Sequence, residues 1–212
     1  MAVLRPYTTA QFIALLEEIS GNEVVNLRNL NLTQVDMADA DIRDKFEHLS
    51  RKARLSPSQS PIVIDLSHSD ISGRDFSHLD MRHFILSHCN ADRASFVGCN
   101  LTDTPFDEAN LDHADLRKSN LTYTKLYRTS IIGTNFADAD MRTTYGLRFR
   151  YPSRDIISRL SVVMSIRGAK FSREVERFRS SIQDKIDKNY PKRAAAIADA
   201  NINQNDRTAN SW

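Results

Sequence analysis

The sequence predicts a mainly β solenoid, a square tube wound from the middle of the chain. Three observations predict it. Between residues 64 and 142 an apolar residue recurs every five positions, from Leu66, Ile71, Phe76 and Met81 to Ile131, Phe136 and Met141, sixteen times without a gap. Two residues before each sits a mostly small residue, such as Ser69, Cys89, Ala94, Cys99, Thr104, Ala109 or Thr134. Between the two lies Asp or Asn in eleven of the sixteen pentads, and these side chains bond nearby backbone N–H groups in tight turns.

A period of five fits neither a helix at 3.6 nor a strand at 2. Only a chain that turns a corner every five residues brings the same two positions inward each time. Four corners close a square, so twenty residues make one coil. Coils stack by backbone hydrogen bonds about 4.8 Å apart, as neighbouring strands do. The large residue fills the axis, the small one fits beside it, and the other three face water.

Ala109-Asn110-Leu111, Ala114-Asp115-Leu116, Ser119-Asn120-Leu121 and Ala139-Asp140-Met141 resemble the pentapeptide-repeat family, whose repeat reads A-(D/N)-L-x-x. The resemblance covers about half of the chain. It implies a right-handed quadrilateral β-helix. Two pentads depart from the pattern: Phe84 stands at a small position and Ala91 at a large one. They read as neighbouring volume trades, which a core tolerates when its total volume holds.

The elements follow in order. Residues 1–21 hold a capping helix over Thr8–Ser20. Thr8 and Gln11 make a capping box, Phe12, Leu15, Leu16 and Ile19 share one face, and Gly21 ends it. A solenoid end exposes backbone edges and an apolar axis, which such a helix covers. Residues 22–42 supply a first coil with axial Leu27, Leu32, Met37 and Ile42. The register then slips, because Ile42 to Leu66 is one residue short of five pentads. Residues 43–61 therefore read as an insertion at a corner, a short helix with Phe46, Leu49 and Ala53, then a Ser/Pro loop. Residues 62–143 make four more coils, five in all, about 24 Å of stacked axis. Residues 144–212 read as a helical, basic segment. One helix runs from Ser153 to Arg167, ended by Gly168. A second, capped by Ser172, carries the stripe Phe171, Val175, Phe178, Ile182 and Ile186. A short helix over Arg193–Ala200 and a frayed Asn203–Trp212 close the chain.

Composition bounds the function classes. Both cysteines, Cys89 and Cys99, occupy inward small positions on opposite sides of a coil, so a disulfide is not expected and the chain reads as a reducing-compartment protein. No apolar run fits a signal peptide or a membrane span. The expected location is cytoplasmic, or a host cell entered without a classical signal peptide. Residues 143–212 carry fourteen basic and seven acidic side chains, against eight and twelve in residues 62–142. The basic segment suits nucleic acid or anionic lipid, but its well-formed apolar stripes favour a solvated outer face on capping helices.

Period twenty sorts the outward side chains into columns. One reads Asn29, His68, His88, Glu108 and Arg128; another reads Thr33, Ser72, Asp92, Asp112 and Ile132. His68 and His88 should stack one coil apart, but two ligands without a fixed third make a weak metal site. Asp92 and Asp112 are stacked carboxylates without a cleft, which argues against a glycosidase pair. No metal or cofactor is expected. Phosphate loops, H-E-x-x-H, paired C-x-x-C and nucleophile elbows are absent from the sequence, so an enzyme is not expected.

The candidate binding residues are Tyr123, Lys125, Tyr127, Arg128 and Ile132, near the last coils. Exposed aromatics beside Arg are typical of protein interfaces, unless the C-terminal helices cover them. The expected function is a non-catalytic scaffold, monomeric, that binds a protein partner. The resemblance adds two expectations. Some family members are secreted effectors of intracellular pathogens. Others protect topoisomerases by mimicking duplex DNA, and mimicry needs an extended acidic face that stands in for phosphates. Here acids alternate with Arg, Lys and His, which favours the scaffold.

Overall fold

The computed structural model describes residues 5–18, 24–55, 63–146 and 165–189. Its backbone returns to stack on itself every twenty residues. Parallel bridges join Asp70, Asn90, Asn110 and Ser130 in one column, and Asp75, Ser95, Asp115 and Asn135 in a second. Asp80, Asn100, Asn120 and Asp140 form a third, and Pro105, Lys125 and Tyr145 continue a fourth from Ile85. Each twenty-residue length is here called a rung. All sixteen apolar positions of the period are buried, with Phe76 and Phe96 stacked at 5.4 Å.

One corner explains the local sequence. The Asp65 carboxylate accepts the Ser67 N–H at 2.9 Å, and the Ser69 N–H closes the turn on the Leu66 carbonyl at 3.2 Å. The residue between, His68, is left-handed at φ 61°. Side-chain bonding to the backbone two residues on is what Asp and Asn do best, which is why they dominate this position. The small inward residues are satisfied as well as packed. Thr104, Thr124, Thr129 and Thr134 donate their hydroxyls to the carbonyls of Met81, Leu101, Phe106 and Leu111. A buried hydroxyl is retained only with such a partner. Cys99 makes the same bond to Phe76. Both thiols are free, and burial pushes Cys89 and Cys99 up to about 12.

Helix α1 spans Thr9–Glu18. Its capping box is formed: Gln11 Oε1 accepts the Thr8 N–H at 3.0 Å, and Thr8 Oγ1 accepts the Gln11 N–H at 3.3 Å. Phe12 and Leu16 are buried. The expected stop at Gly21 lies outside the described residues. Strand β1, Val24–Asn26, pairs in parallel with β2, Val63–Asp65, and β2 pairs with β3, Phe84–Ile85.

Three expectations need correction here. Helix α2 spans Ala40–Leu55, so the insertion starts before residue 43 and takes Ile42 out of the repeat. Among the described residues the first rung is bridged only at β1 and Asn31. Asp39 explains the early start, since its carboxylate accepts the Asp41 N–H at 3.0 Å as a helix cap does. Next, Phe84 is not a simple volume trade. Its ring meets Phe46 of α2 edge-on at 5.3 Å, and Phe46 meets Phe12 of α1 at 6.2 Å. An aromatic chain thus ties both N-terminal helices to the third rung.

The third correction concerns the end of the expected Ser153–Arg167 helix. Residues 151–164 lie outside the described residues, but Ser165 bridges Asn135, and Ile166 is buried. Strand β4, Asp140–Met141, then pairs in parallel with β5, Lys170–Phe171. Residues 165–171 therefore resume the repeat. Ile166 and Phe171 stand five and six pentads beyond Met141, and Gly168 takes the left-handed corner at φ 68°. Beyond β5 the expected single helix is two, α3 over Arg173–Glu176 and α4 over Arg179–Asn189. Ser172 precedes α3 but makes no side-chain cap. The predicted stripe holds, with Phe171, Val175, Ile182 and Ile186 buried and Phe178 partly so. The expected helix over Arg193–Ala200 and the frayed end lie outside the described residues.

Candidate interaction surface

The pentad period carries three residues of every five to the surface, and at the last rungs several of these are aromatic. Tyr123 is 49% exposed, Tyr127 51%, Ile132 50% and Tyr145 44%. Tyr123 and Tyr145 lie one rung apart with ring centroids 6.2 Å apart and tilted. Tyr123, Tyr127 and Tyr145 share a cleft of about 270 Å³ with Arg142, Ser172 and Val175. Helix α3 thus forms one wall of the cleft and leaves the tyrosines open to solvent. Gly146 lets the last rung lie close on the one before it: a Cβ there would stand 2.4 Å from the Leu126 carbonyl carbon, and its φ is 81°.

The charged members of the cluster are paired. Arg128 reaches Glu108 at 3.2 Å, Lys125 reaches Asp103 at 3.3 Å, and Arg142 holds Asp140 at 2.7 Å. That hydrogen bond from Arg142 keeps the Asp140 carboxyl below its usual range. Such exposed pairs are screened by solvent, contribute little stability and leave the surface close to neutral.

The remaining columns behave as ladders. His68 and His88 stack face to face, 4.5 Å apart and 4° from parallel. Parallel rings send their lone pairs side by side rather than to one point, an arrangement unlike that of two ligands on one metal. His88 also faces Glu108 at 3.5 Å. Asp112 accepts from Ser130 Oγ and the Ile132 N–H, while Asp92 is held by Arg93. These two carboxylates are committed to structural bonds. Among the described residues no group of three or more metal-ligating side chains converges, and no helix is long and apolar enough to cross a membrane.

The five sequence-derived candidates therefore follow one another along half a rung, on neighbouring columns. Sequence reasoning missed Tyr145, Arg142 and the wall from α3. One signal was present. Gly146 falls at an axial position of the repeat, where the sixteen preceding residues are apolar and all but Ala91 are large. Loss of an axial side chain marks a rung where the stack changes.

Residues 65–136 match the family model described as a pentapeptide repeat region. That stretch is a pentapeptide repeat region. Among solved structures it is similar to a pentapeptide repeat protein from the Arabidopsis thaliana thylakoid lumen, at 25% identity over 39% of this chain and 55% of that one, with a TM-score of 0.29. It is also similar to QnrB1, a plasmid-mediated fluoroquinolone resistance protein, at 16% identity over 52% of this chain and 61% of that one, TM-score 0.37. A third is Rfr23 from the cyanobacterium Cyanothece 51142, at 24% identity over 42% and 67%, TM-score 0.22. The chain spans little more than half the length of the first two. No curated protein matches it.

Proposed function

We propose that this chain is a non-catalytic scaffold: a right-handed quadrilateral β-helix of about five coils, headed by α1, interrupted by α2 and followed by helices. It binds a protein partner through Tyr123, Lys125, Tyr127, Arg128 and Ile132. The observation that carries the reading is the set of half-exposed tyrosines Tyr123, Tyr127 and Tyr145 around a mostly apolar cleft, with Ile132 also half exposed further along the chain. Large aromatics left open beside Arg are the usual anchors of a protein interface. Work in the cytoplasm, or in a host cell as a translocated effector, is consistent with this role.

The reading as a DNA mimic or nucleic-acid-contacting protein has less support. A mimic needs runs of unpaired acids, whereas Asp65, Asp103, Glu108, Asp115 and Asp140 each face an Arg or Lys. Affinity capture followed by mass spectrometry tests the proposal. A specific partner lost with Tyr127→Ala plus Arg128→Ala supports it. A partner held equally by that double variant removes this surface. Protection of a topoisomerase in a supercoiling assay would favour the mimic.

A further inference from the structure

The rungs end unevenly, and the fold treats two of their edges differently. In the third column each rung presents a carbonyl and an N–H to the next. The Ser119 carbonyl accepts the Asp140 N–H, and the Ala139 carbonyl accepts the Lys170 N–H, at 2.9 and 2.8 Å. The last rung of this column leaves the Ala169 carbonyl and the Phe171 N–H pointing onward. Both are capped by side chains. Arg179 Nη2 donates to the Ala169 carbonyl, and Glu176 Oε1 accepts the Phe171 N–H at 3.2 Å. Arg179 and Glu176 bond each other at 2.6 Å, so an ion pair stands in for the donor and acceptor of a missing strand.

The fourth column follows the same rule and stops one rung earlier. The Thr124 carbonyl accepts the Tyr145 N–H at 2.8 Å, and the Leu126 N–H donates to the Tyr145 carbonyl at 3.0 Å. The equivalent groups of the last rung are the Thr144 carbonyl and the Gly146 N–H. Neither has a partner among the described residues. They border the cleft that the tyrosines line. The next residue to enter this space, Val175, arrives in a helix rather than a strand.

We infer that this unfinished edge takes an extended segment of a partner protein as one further parallel rung. The segment donates a backbone N–H to the Thr144 carbonyl and accepts the Gly146 N–H on its own carbonyl, repeating the bonds the column already makes. Its outward side chain lies over Tyr145 and beside Tyr123, where an aromatic residue or proline stacks well. The occupant is an extended apolar or aromatic segment rather than an acidic helix, because the cations nearby, Arg142 and Lys125, are already paired. The inference rests on the proposed interaction surface and adds how the partner is read: through its backbone.

The test uses the full chain and a phage-displayed random dodecapeptide library. A selected peptide is resynthesised with single backbone N-methyl groups, and exchange of the Gly146 amide is followed by NMR. The expected result is one or two N-methyl positions that each weaken binding about tenfold, as a lost backbone bond does. Neighbouring positions tolerate the change, and the Gly146 amide exchanges more slowly in the complex than in the free chain. A peptide that tolerates every N-methyl group but is lost with Tyr127→Ala plus Arg128→Ala overturns the added rung and leaves the surface standing. A peptide that protects Gly146 yet ignores that double variant upholds the added rung and removes the patch. Protection of Gly146 that rises with protein concentration alone assigns the edge to a second copy and overturns the inference. So does a library that yields no binder.

Discussion

At each corner one residue carries a conformational cost. Among the described residues twelve non-glycine residues have positive φ, including His68, His88, Glu108, Lys118, Tyr123 and Arg128. They recur at the position two after the axial residue, where the turn requires a left-handed residue. Two of the functional candidates, Tyr123 and Arg128, are among these strained positions. An unbranched side chain tolerates this conformation, while a β-branched one does not. Lys118 at φ 59° is exposed and without an ion pair among the described residues, so its substitution isolates the effect. Lys118→Val should destabilise by about 1–3 kcal/mol, and Lys118→Gly should change stability far less. Urea midpoints of the three proteins check it. Equal midpoints for Lys118→Val and the parent would remove the strain from this position. The corners were legible in the sequence as Asp or Asn before eleven of the sixteen axial residues. Their handedness was not, since His, Arg, Lys, Glu and Tyr do not advertise positive φ as Gly does.

At the level of elements, the strands were easier to read than the helices. The period placed every rung between Leu66 and Met141, because a buried axis of large apolar residues leaves no freedom of register. The resumed repeat at Ile166 and Phe171 went unread. A 3.6-residue stripe and a five-residue step coincide over so short a stretch, and Gly168 serves a helix stop as well as a rung corner. The extent of α2 was hidden for a related reason: Asp39 and Ile42 satisfy a helix start and a pentad alike. The Arg179–Glu176 cap could not be read from sequence, since it depends on α3 and α4 folding back onto β5. It makes a pH prediction. The Arg179 hydrogen bond, helped by the Phe171 N–H, holds the Glu176 carboxyl below its usual range. A depressed carboxyl contributes stability above its unfolded pKa, near 4.3, and loses it as pH falls through the folded value. Glu176→Gln should therefore be less stable than the parent at pH 7, with the gap closing below about pH 4. Urea midpoints at pH 7 and pH 3 test this. A gap that is constant with pH would place the role of Glu176 elsewhere than in the charged cap.

For the whole molecule, stacked rungs make a quasi-one-dimensional protein in which each unit leans on its neighbours. Ends are then the weak points, and here they are also where the chain departs from regularity: α1 and α2 at one end, the step beside Tyr145 at the other. The candidate surface was legible in part. Period twenty placed Tyr123, Tyr127, Arg128 and Ile132 on adjoining columns, but the cleft exists only because α3 stands beside the last rung. Everything rests on residues twenty apart being neighbours. Thr102 and Thr122 offer the most direct test, with hydroxyl oxygens 3.2 Å apart on successive rungs. That separation suits a disulfide, whose Cα atoms lie about 4.4–6.8 Å apart. Under mild oxidation, Thr102→Cys with Thr122→Cys should cross-link within the folded monomer. The control, Thr102→Cys with Asp112→Cys, spans half a rung and should stay reduced. Cross-linking of the control pair, or failure of the first pair in a folded protein, would contradict the stacked repeat.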